Sequence, residues 1–330
     1  MNVFIGELPP PYGGVAVKDK LMYHEVYKPA GVKFLNLVEC KWKPWKIPWI
    51  GFKLIWYLLI ADNVIVGVGL NLRRKVIMEI RYILRGSRGL EKLRMIVMGG
   101  NIQNQTPNDR LLRQLLMKCG TLWVETNGMK ENLEEQGFRN IKIYPNCRTE
   151  ENALPPRPID EEIKFVFFSR ICEQKGVDEI IDTIDRWEGK WSLDFYGEID
   201  LNYVAKFNSF LETHPNIRYH GVYDATNGTV YQELNQYDIL LFPSKWIGEG
   251  VPGILVESKM AGVTAIVSDW NFNSEIVRDG DEGVILKTNL PDTINSICLN
   301  QIEDLKKGSF ESRKRYCTST YRKELIQEVI

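Results

Sequence analysis

Apolar residues gather along this chain in short runs that end at glycine, proline or a charged side chain. Between the runs they recur three and four positions apart, the spacing of one helix face. Strand-like runs in the first half are 2–8, 32–40, 63–70, 94–99, 121–126 and 140–145, separated by helical patterns such as 109–119 and 129–136. The stretch 148–158 (RTEENALPPRP) is polar and proline-rich and reads as a linker. Beyond it the rhythm restarts at 164–170, 192–198, 217–221, 238–244, 264–269 and 283–287. This alternation predicts parallel sheets covered by helices, formed twice. The expected fold class is therefore α/β, with two Rossmann-like doubly wound domains at residues 1–150 and 161–308, joined by a linker at 151–160. Sheets of this kind bind ligands in the crevice at the carboxyl ends of their strands.

At 330 residues the chain can bury two full cores. Its 44% hydrophobic and 26% charged residues are those of an ordinary globular protein. The net charge of −1 conceals an asymmetry: residues 1–150 carry 23 Lys/Arg against 13 Asp/Glu, and residues 151–330 carry 19 against 30. Opposite signs on two halves suit attracting lobes or a basic lobe facing something anionic; scattered surface charge reads the same way. Cys40, Cys119, Cys147, Cys172, Cys298 and Cys317 are widely spaced, with no C-x-x-C pair. Neither a zinc site nor a disulfide framework is indicated, and a reducing cytosol is the natural compartment. The opening MNVFIGELPPPYGG places Glu7 and three prolines where a signal peptide needs its apolar core. The longest apolar run, 47–61, is broken by Lys53 and too short to span a bilayer. A cytoplasmic location is expected.

One stretch concentrates candidate chemistry: GEGVPGILVESKMAG, residues 248–262. Pro252 suits the first turn of a helix, where its missing N–H has no intrahelical partner. With the apolar strand before it, the glycine-rich turn and helix start offer free backbone N–H groups and a positive dipole end to one spot. Glu249 and Glu257 flank that spot. Carboxylates there would repel phosphate, so they should face something neutral and rich in hydroxyls, such as a sugar. In the same half, Arg170 ends a strand and Lys175 follows just inside the next helix. A planar fork and a point charge at this spacing can converge on one diphosphate; solvated surface cations are the plain alternative.

Taken in order, SR-x4-KG (169–176), YGE, HG, LFPS, GEGVPGILVE and SDWNFNSEIV resemble the retaining nucleotide-sugar glycosyltransferases of family 4, which have the two-domain GT-B fold. The resemblance is strongest over 164–287, where Glu249 and Glu257 fall on the family's E-x7-E motif. It extends more weakly to ETNGMKENLEEQGFRNIKIYPN (125–146) and PPPYGGVA (9–16). It implies that Glu257 accepts hydrogen bonds from the ribose hydroxyls of the donor and that Glu249 holds hydroxyls of the transferred sugar. Arg170 and Lys175 would neutralise the departing diphosphate. Gly250, Val251, Pro252 and Gly253 would line the donor, and Gly13 and Gly14 would let the first domain's backbone approach the diphosphate. An ordinary strand-to-helix turn explains these two glycines equally well. Glu198 and Tyr223, after strands, would lie near the base or ribose. The fold further implies that residues 309–330 form a helix returning to the first domain. Two departures stand out. Val251-Pro252 replaces a Phe-Gly common after the first glutamate, and MIVMGGN stands where many members carry a histidine. Gly99, Gly100 and Asn101 would line the sugar or acceptor side instead.

Asp279-Gly280-Asp281 is a D-x-D sequence, the metal-binding signature of single-domain GT-A enzymes, but RDGDEGVIL is also common turn chemistry. The turn is the preferred reading, and no metal or other cofactor is expected. Residues 42–60 (WKPWKIPWIGFKLIWYLLI) hold Trp42, Trp45, Trp49 and Trp56, with Lys41, Lys43, Lys46 and Lys53 in or beside them. This mixture suits an anionic membrane surface; a core helix at 50–60 and a nucleic-acid surface are the competitors, and no nucleic-acid partner is expected.

The sequence thus leads to a cytoplasmic, retaining, metal-independent glycosyltransferase, peripheral on the membrane and serving cell-surface polysaccharide synthesis. It would move a hexose-type sugar from a nucleotide diphosphate donor to an acceptor hydroxyl on a lipid-linked saccharide. A nucleotide-sugar epimerase or hydrolase of the same fold, or a catalytically idle binding subunit, are the alternatives.

Overall fold

The computed structural model describes residues 1–10, 13–84, 88–224 and 230–329, with the backbone alone for Lys41, residues 70–73 and Arg88. The chain divides into two compact units. Unit 1 takes Met1–Thr149, Gly248–Val251 and Cys317–Ile330; unit 2 takes Glu150–Ile247 and Pro252–Tyr316.

Unit 1 contains strands β1 (Asn2–Gly6), β2 (Lys33–Asn36), β3 (Asn63–Val68), β4 (Leu93–Val97), β5 (Thr121–Val124) and β6 (Ile141–Ile143), in the order β2-β1-β3-β4-β5-β6. Its helices include α1 (Gly14–Met22), α2 (Glu39–Trp42), α3 (Ile47–Ile60), α4 (Leu70–Ile83), α5 (Ile102–Asn108), α6 (Arg110–Leu116) and α7 (Asn127–Glu135). Unit 2 contains β7 (Ile163–Phe168), β8 (Trp191–Tyr196), β9 (Ile217–Tyr219), β10 (Ile239–Phe242), β11 (Thr264–Ser268) and β12 (Gly283–Leu286), in the order β12-β11-β10-β7-β8-β9. Around them run α8 (Val177–Ile181), α9 (Val204–Thr213), α10 (Val230–Leu234), α11 (Gly253–Met260), α12 (Asn273–Ile276), α13 (Leu290–Ser296) and α14 (Leu299–Ser312). The closing helix α15 (Thr318–Gln327) belongs to unit 1.

All described strand pairs are parallel. Strands buried on both faces explain the unbroken apolar runs, such as NVIVGV in β3. Each of the twelve expected runs overlaps a strand, and the α/β class with two doubly wound sheets holds. The run 32–40 is the chief misfit, because β2 stops at Asn36 and α2 begins at Glu39. The Asn36 carboxamide oxygen accepts from the N–H groups of Leu8 and Val38, at 3.3 and 3.1 Å. This local turn chemistry competes with continuation of the strand.

In unit 1, Phe4, Ile65, Ile96 and Trp123 pack with Met22, Val26, Tyr27 and Tyr144, and with Leu325 and Val329 of the C-terminal stretch. Lys142 fixes that stretch through Glu324 at 3.3 Å and Glu328 at 2.7 Å. The helix of this stretch that belongs to unit 1 is α15, whereas residues 309–316, expected to return with it, belong to unit 2 because α14 runs on to Ser312. Unit 2 builds its core from Phe165, Phe167, Leu193, Phe195, Ile239 and Leu241 on the sheet and Val177, Ile180, Phe207 and Ile294 on helices.

Candidate functional site

The sheet order of unit 2 places its topological switch between β7 and β10. The chain leaves β7 toward β8 and β9, then returns on the other side as β10. Loops after β7 and β10 therefore leave the carboxyl edge side by side, where open parallel sheets bind ligands. Arg170 and Lys175 lie in the first loop, and the segment leading to Pro252 forms the second.

Arg170 follows β7 and is about half exposed, its guanidinium 3.6 Å from Asp200. Its neighbours are tightly held: Ile171 N–H donates to Glu198 O at 2.8 Å, and Asp200 N–H to Ile171 O at 3.1 Å. Gly197 (φ +139°) lets the β8 loop pass close to the β7 loop, since a Cβ there would lie 1.8 Å from Ser169 O. The Glu198 side chain is exposed. Lys175 sits in a 3₁₀ turn, Glu173–Lys175, rather than inside the following helix, because Gly176 takes a left-handed conformation and α8 begins only at Val177. That glycine is required, since a Cβ would lie 2.2 Å from Pro243 O. Lys245 N–H donates to Gln174 O at 3.1 Å, which ties the β10 loop to the turn. The Lys175 ammonium is largely buried and lies 4.6 Å from the Trp246 ring centroid. A cation held this way costs little further ordering when an anion arrives.

Pro252 is the N-cap of α11 rather than a residue of its first turn; its extended backbone (φ −60°, ψ 127°) delays the helix to Gly253. Pro252 itself supplies no side-chain cap to this helix start. Glu257, one turn into α11, is partly exposed. Two residues on, Lys259 is buried with its ammonium 2.9 Å from Glu282 and from Ser312 Oγ, which anchors the helix; burial pushes this lysine down to about 8.

The family model for glycosyl transferases group 1 matches residues 149–321, just over half of the chain. The chain belongs to the group 1 glycosyl transferases. No curated protein sequence matches it. Among solved structures, Alr3699/HepE of Anabaena in complex with UDP is similar at TM-score 0.74 and 12% identity, covering 99% of each chain. The lipopolysaccharide outer core galactosyltransferase WaaB is similar at TM-score 0.69 and 17% identity, covering 100% of this chain and 99% of that one. Sucrose-phosphate synthase of Thermosynechococcus elongatus is similar at TM-score 0.65 and 13% identity, covering 81% and 72%. At these identities the likeness is one of fold, and the fold of this group 1 chain is GT-B.

Aromatic side chains form a row across the strand ends of the transferase's second unit. Phe168 stacks on Tyr196 at 4.9 Å, and Tyr196 stacks on His220 at 4.7 Å. Tyr223 packs against Phe168 at 5.7 Å. Beneath the row, buried Asp194 accepts from Arg218 and His220 at 2.9 Å and from the Tyr237 hydroxyl at 2.8 Å. Tyr223 was a candidate from its motif, but this network was not, because its members lie far apart along the chain.

Glu249, Gly250 and Val251 lie in the short segment that belongs to unit 1, so that unit also gathers candidates. Gly100 N–H donates to Gly248 O at 3.0 Å. A Cβ on Gly100 would lie 1.7 Å from Glu249 O, so only glycine fits that approach. Glu249 is largely buried. Glu125 is a functional candidate that sequence reading missed. Its carboxylate accepts from Lys18 Nζ at 2.7 Å and from Val251 N–H at 3.0 Å, and all but fills the space beside Gly250. Asn146 completes the hold by donating to Val251 O at 2.9 Å. The only trace in the sequence is a polar residue at the end of each of two apolar runs. Gly99, at φ +83°, and Asn101, which precedes α5, flank this contact.

Gly13 caps the start of α1 with Gly14 as its first residue, and a Cβ on either would meet nothing within 4 Å. Among the described residues no neighbour requires these glycines. Asp279 accepts from Ile285 N–H at 2.9 Å and pairs with Lys287, while Gly280 takes φ +76°. The D-x-D sequence is thus a turn whose first carboxylate is already engaged.

Proposed function

We propose that this group 1 chain is a retaining glycosyltransferase that uses a nucleotide diphosphate sugar. The observation that carries the reading is the largely buried Lys175, held at the switch-point loop of unit 2 with Arg170 in the same loop and the start of α11 following the neighbouring strand. In this reading Arg170 and Lys175 bind the diphosphate, and Glu257 accepts hydrogen bonds from the ribose diol. Glu198 and Tyr223 lie toward the base, with the aromatic row beside them. Gly250, Val251, Pro252 and Gly253 line the donor, and Glu249 holds sugar hydroxyls. Gly13 and Gly14 receive phosphate, and Gly99, Gly100 and Asn101 serve the sugar or acceptor side. UDP in the Anabaena HepE structure supports a nucleotide donor for this fold.

Transfer breaks the bond between the anomeric carbon and the diphosphate oxygen, and the acceptor oxygen bonds to the same face of that carbon. The acceptor's proton passes to the leaving phosphate, whose growing charge the two cations stabilise. That charge compensation is the basis for expecting metal independence. We place the protein on the cytoplasmic face of a membrane, docked through residues 42–60 and acting on a lipid-linked saccharide; the exposed tryptophans there support this. Calorimetry with nucleoside diphosphates tests the donor site. Glu257→Ala removes charge-assisted hydrogen bonds of about 1.5–3 kcal/mol each, so affinity should fall at least about tenfold. Unchanged affinity in a folded variant would remove Glu257 from the donor site.

A further inference from the structure

Helix α3 is apolar around most of its circumference, yet unit 1 covers only one side of it. Ile50 and Leu58 are buried, whereas Trp49, Phe52, Trp56 and Leu59 on the opposite side are 52–61% exposed. Trp49, Phe52 and Trp56 stack in a row, with centroids 5.9 and 6.4 Å apart. Trp42 and Trp45, just before the helix, are exposed as well. A helix of this composition is ordinarily enclosed, and a patch this large marks a surface that something covers. Beside it lies an open groove of about 1110 Å³ between α3 and α4, lined by Ile55, Leu59, Met78, Ile83 and Leu84 together with Arg81 and Tyr82.

Charge decides what covers this surface. Lys43, Lys53 and Arg81 are its cations, and nearby acids are already engaged. Glu39 pairs with Lys46 at 2.7 Å, Asp62 pairs with the N-terminal amine, and Glu79 lies 3.9 Å from Lys75. Arg81 has no acidic partner among the described residues. A second copy of the chain, docked about a two-fold axis, would bring these cations against their own kind. A leaflet of anionic lipid complements all of them, and tryptophan suits its headgroup boundary. At 14 residues α3 cannot cross a bilayer, and no described helix can. At its C-terminal end the Lys92 ammonium donates to the carbonyl oxygens of Leu58 and of the C-cap residue Ala61. Helix carbonyls capped in this way tolerate an apolar setting.

Resting on the membrane reading of residues 42–60, we propose that the α3–α4 groove seats one hydrocarbon chain of an anionic phospholipid, with its phosphate on Arg81. Trp49, Phe52 and Trp56 lie in the leaflet around it. Two probes separate the groove from the surface: decyl phosphate below its micellar concentration, and phosphatidylcholine vesicles with and without phosphatidylglycerol. Calorimetry should show saturable binding of decyl phosphate, one per chain. Met78→Trp, which fills the groove, and Arg81→Glu, which inverts the charge, should each weaken it about tenfold or more. Vesicles containing phosphatidylglycerol should co-sediment with the wild type, and vesicles without it much less. Vesicle binding with no saturable decyl phosphate binding overturns the groove and leaves the membrane reading intact. Decyl phosphate binding without vesicle binding overturns the membrane reading, and with it the phospholipid as occupant. Binding that neither substitution weakens lies elsewhere and also overturns the proposal.

Discussion

Gly100→Ala tests whether the hold on Glu249 matters for transfer. A methyl group at Gly100 would lie 1.7 Å from Glu249 O, 2.5 Å from Glu249 C and 2.9 Å from Gly250 N. An ordinary van der Waals contact between carbon and oxygen needs about 3.5 Å, so the backbone must shift by roughly 1.5–2 Å. Gly100 N–H would then also lose its 3.0 Å hydrogen bond to Gly248 O. Overpacking of this size costs about 1–3 kcal/mol of stability, which a folded domain usually survives. A catalytic group misplaced by about 1 Å can cost a hundredfold in rate. If Glu249 holds the sugar, kcat should fall about a hundredfold. Affinity for the free nucleoside diphosphate, which is assigned to Arg170, Lys175 and Glu257, should change by less than about twofold. Steady-state transfer rates and calorimetry on the same preparation read both. A folded variant with turnover within about twofold of wild type would refute the assignment of Glu249. Loss of nucleotide affinity in parallel with kcat would refute the division of labour.

Two further outcomes follow from buried charge in unit 1. Glu125→Ala leaves Lys18 buried without its carboxylate and should cost about 3–5 kcal/mol in denaturant unfolding, while Lys18→Met with Glu125→Leu should recover most of that; a single-site cost below about 1 kcal/mol would contradict the pair's role. Asp19 lies where Cβ atoms on Gly6 and Gly67 would come within 2.5 and 2.0 Å of its oxygens, and burial holds its carboxyl well above the usual range. The unfolded chain releases this proton near pH 4 while the folded chain keeps it, so Asp19 removes stability as pH rises toward its folded pKa. Asparagine stays neutral throughout, so the melting temperature of Asp19→Asn minus that of wild type should grow from pH 4 to pH 8. A difference independent of pH would contradict that reasoning.

The sheets were legible because parallel strands buried on both faces leave unbroken apolar runs, and all twelve show in the sequence. Legibility failed where a single side chain redirects the backbone, as Asn36 does at the end of β2 and Gly176 before α8. Arg170, Lys175 and Glu257 could be named as candidates because their order along the chain follows strand and helix boundaries. Glu125 was not, because its partners Lys18 and Val251 lie 107 and 126 positions away. Nothing local distinguishes a carboxylate that meets a buried lysine from one that meets water. The run 42–60 showed its composition but not its geometry: which side of α3 is covered depends on neighbours that periodicity does not name. The groove between α3 and α4 was equally invisible.

The central claim, sugar transfer from a nucleotide diphosphate donor with Lys175 on the leaving group, is tested most directly by donor turnover without acceptor. Proton NMR would follow a panel of nucleotide diphosphate sugars incubated with wild type and Lys175→Ala in excess EDTA. The account predicts that one donor is slowly hydrolysed, that the released sugar first appears with the donor's own anomeric configuration, and that Lys175→Ala lowers the rate about 10²–10³-fold at saturating donor. Release of the opposite anomer, loss of turnover in EDTA with restoration by manganese, or a near-normal rate in Lys175→Ala would contradict it.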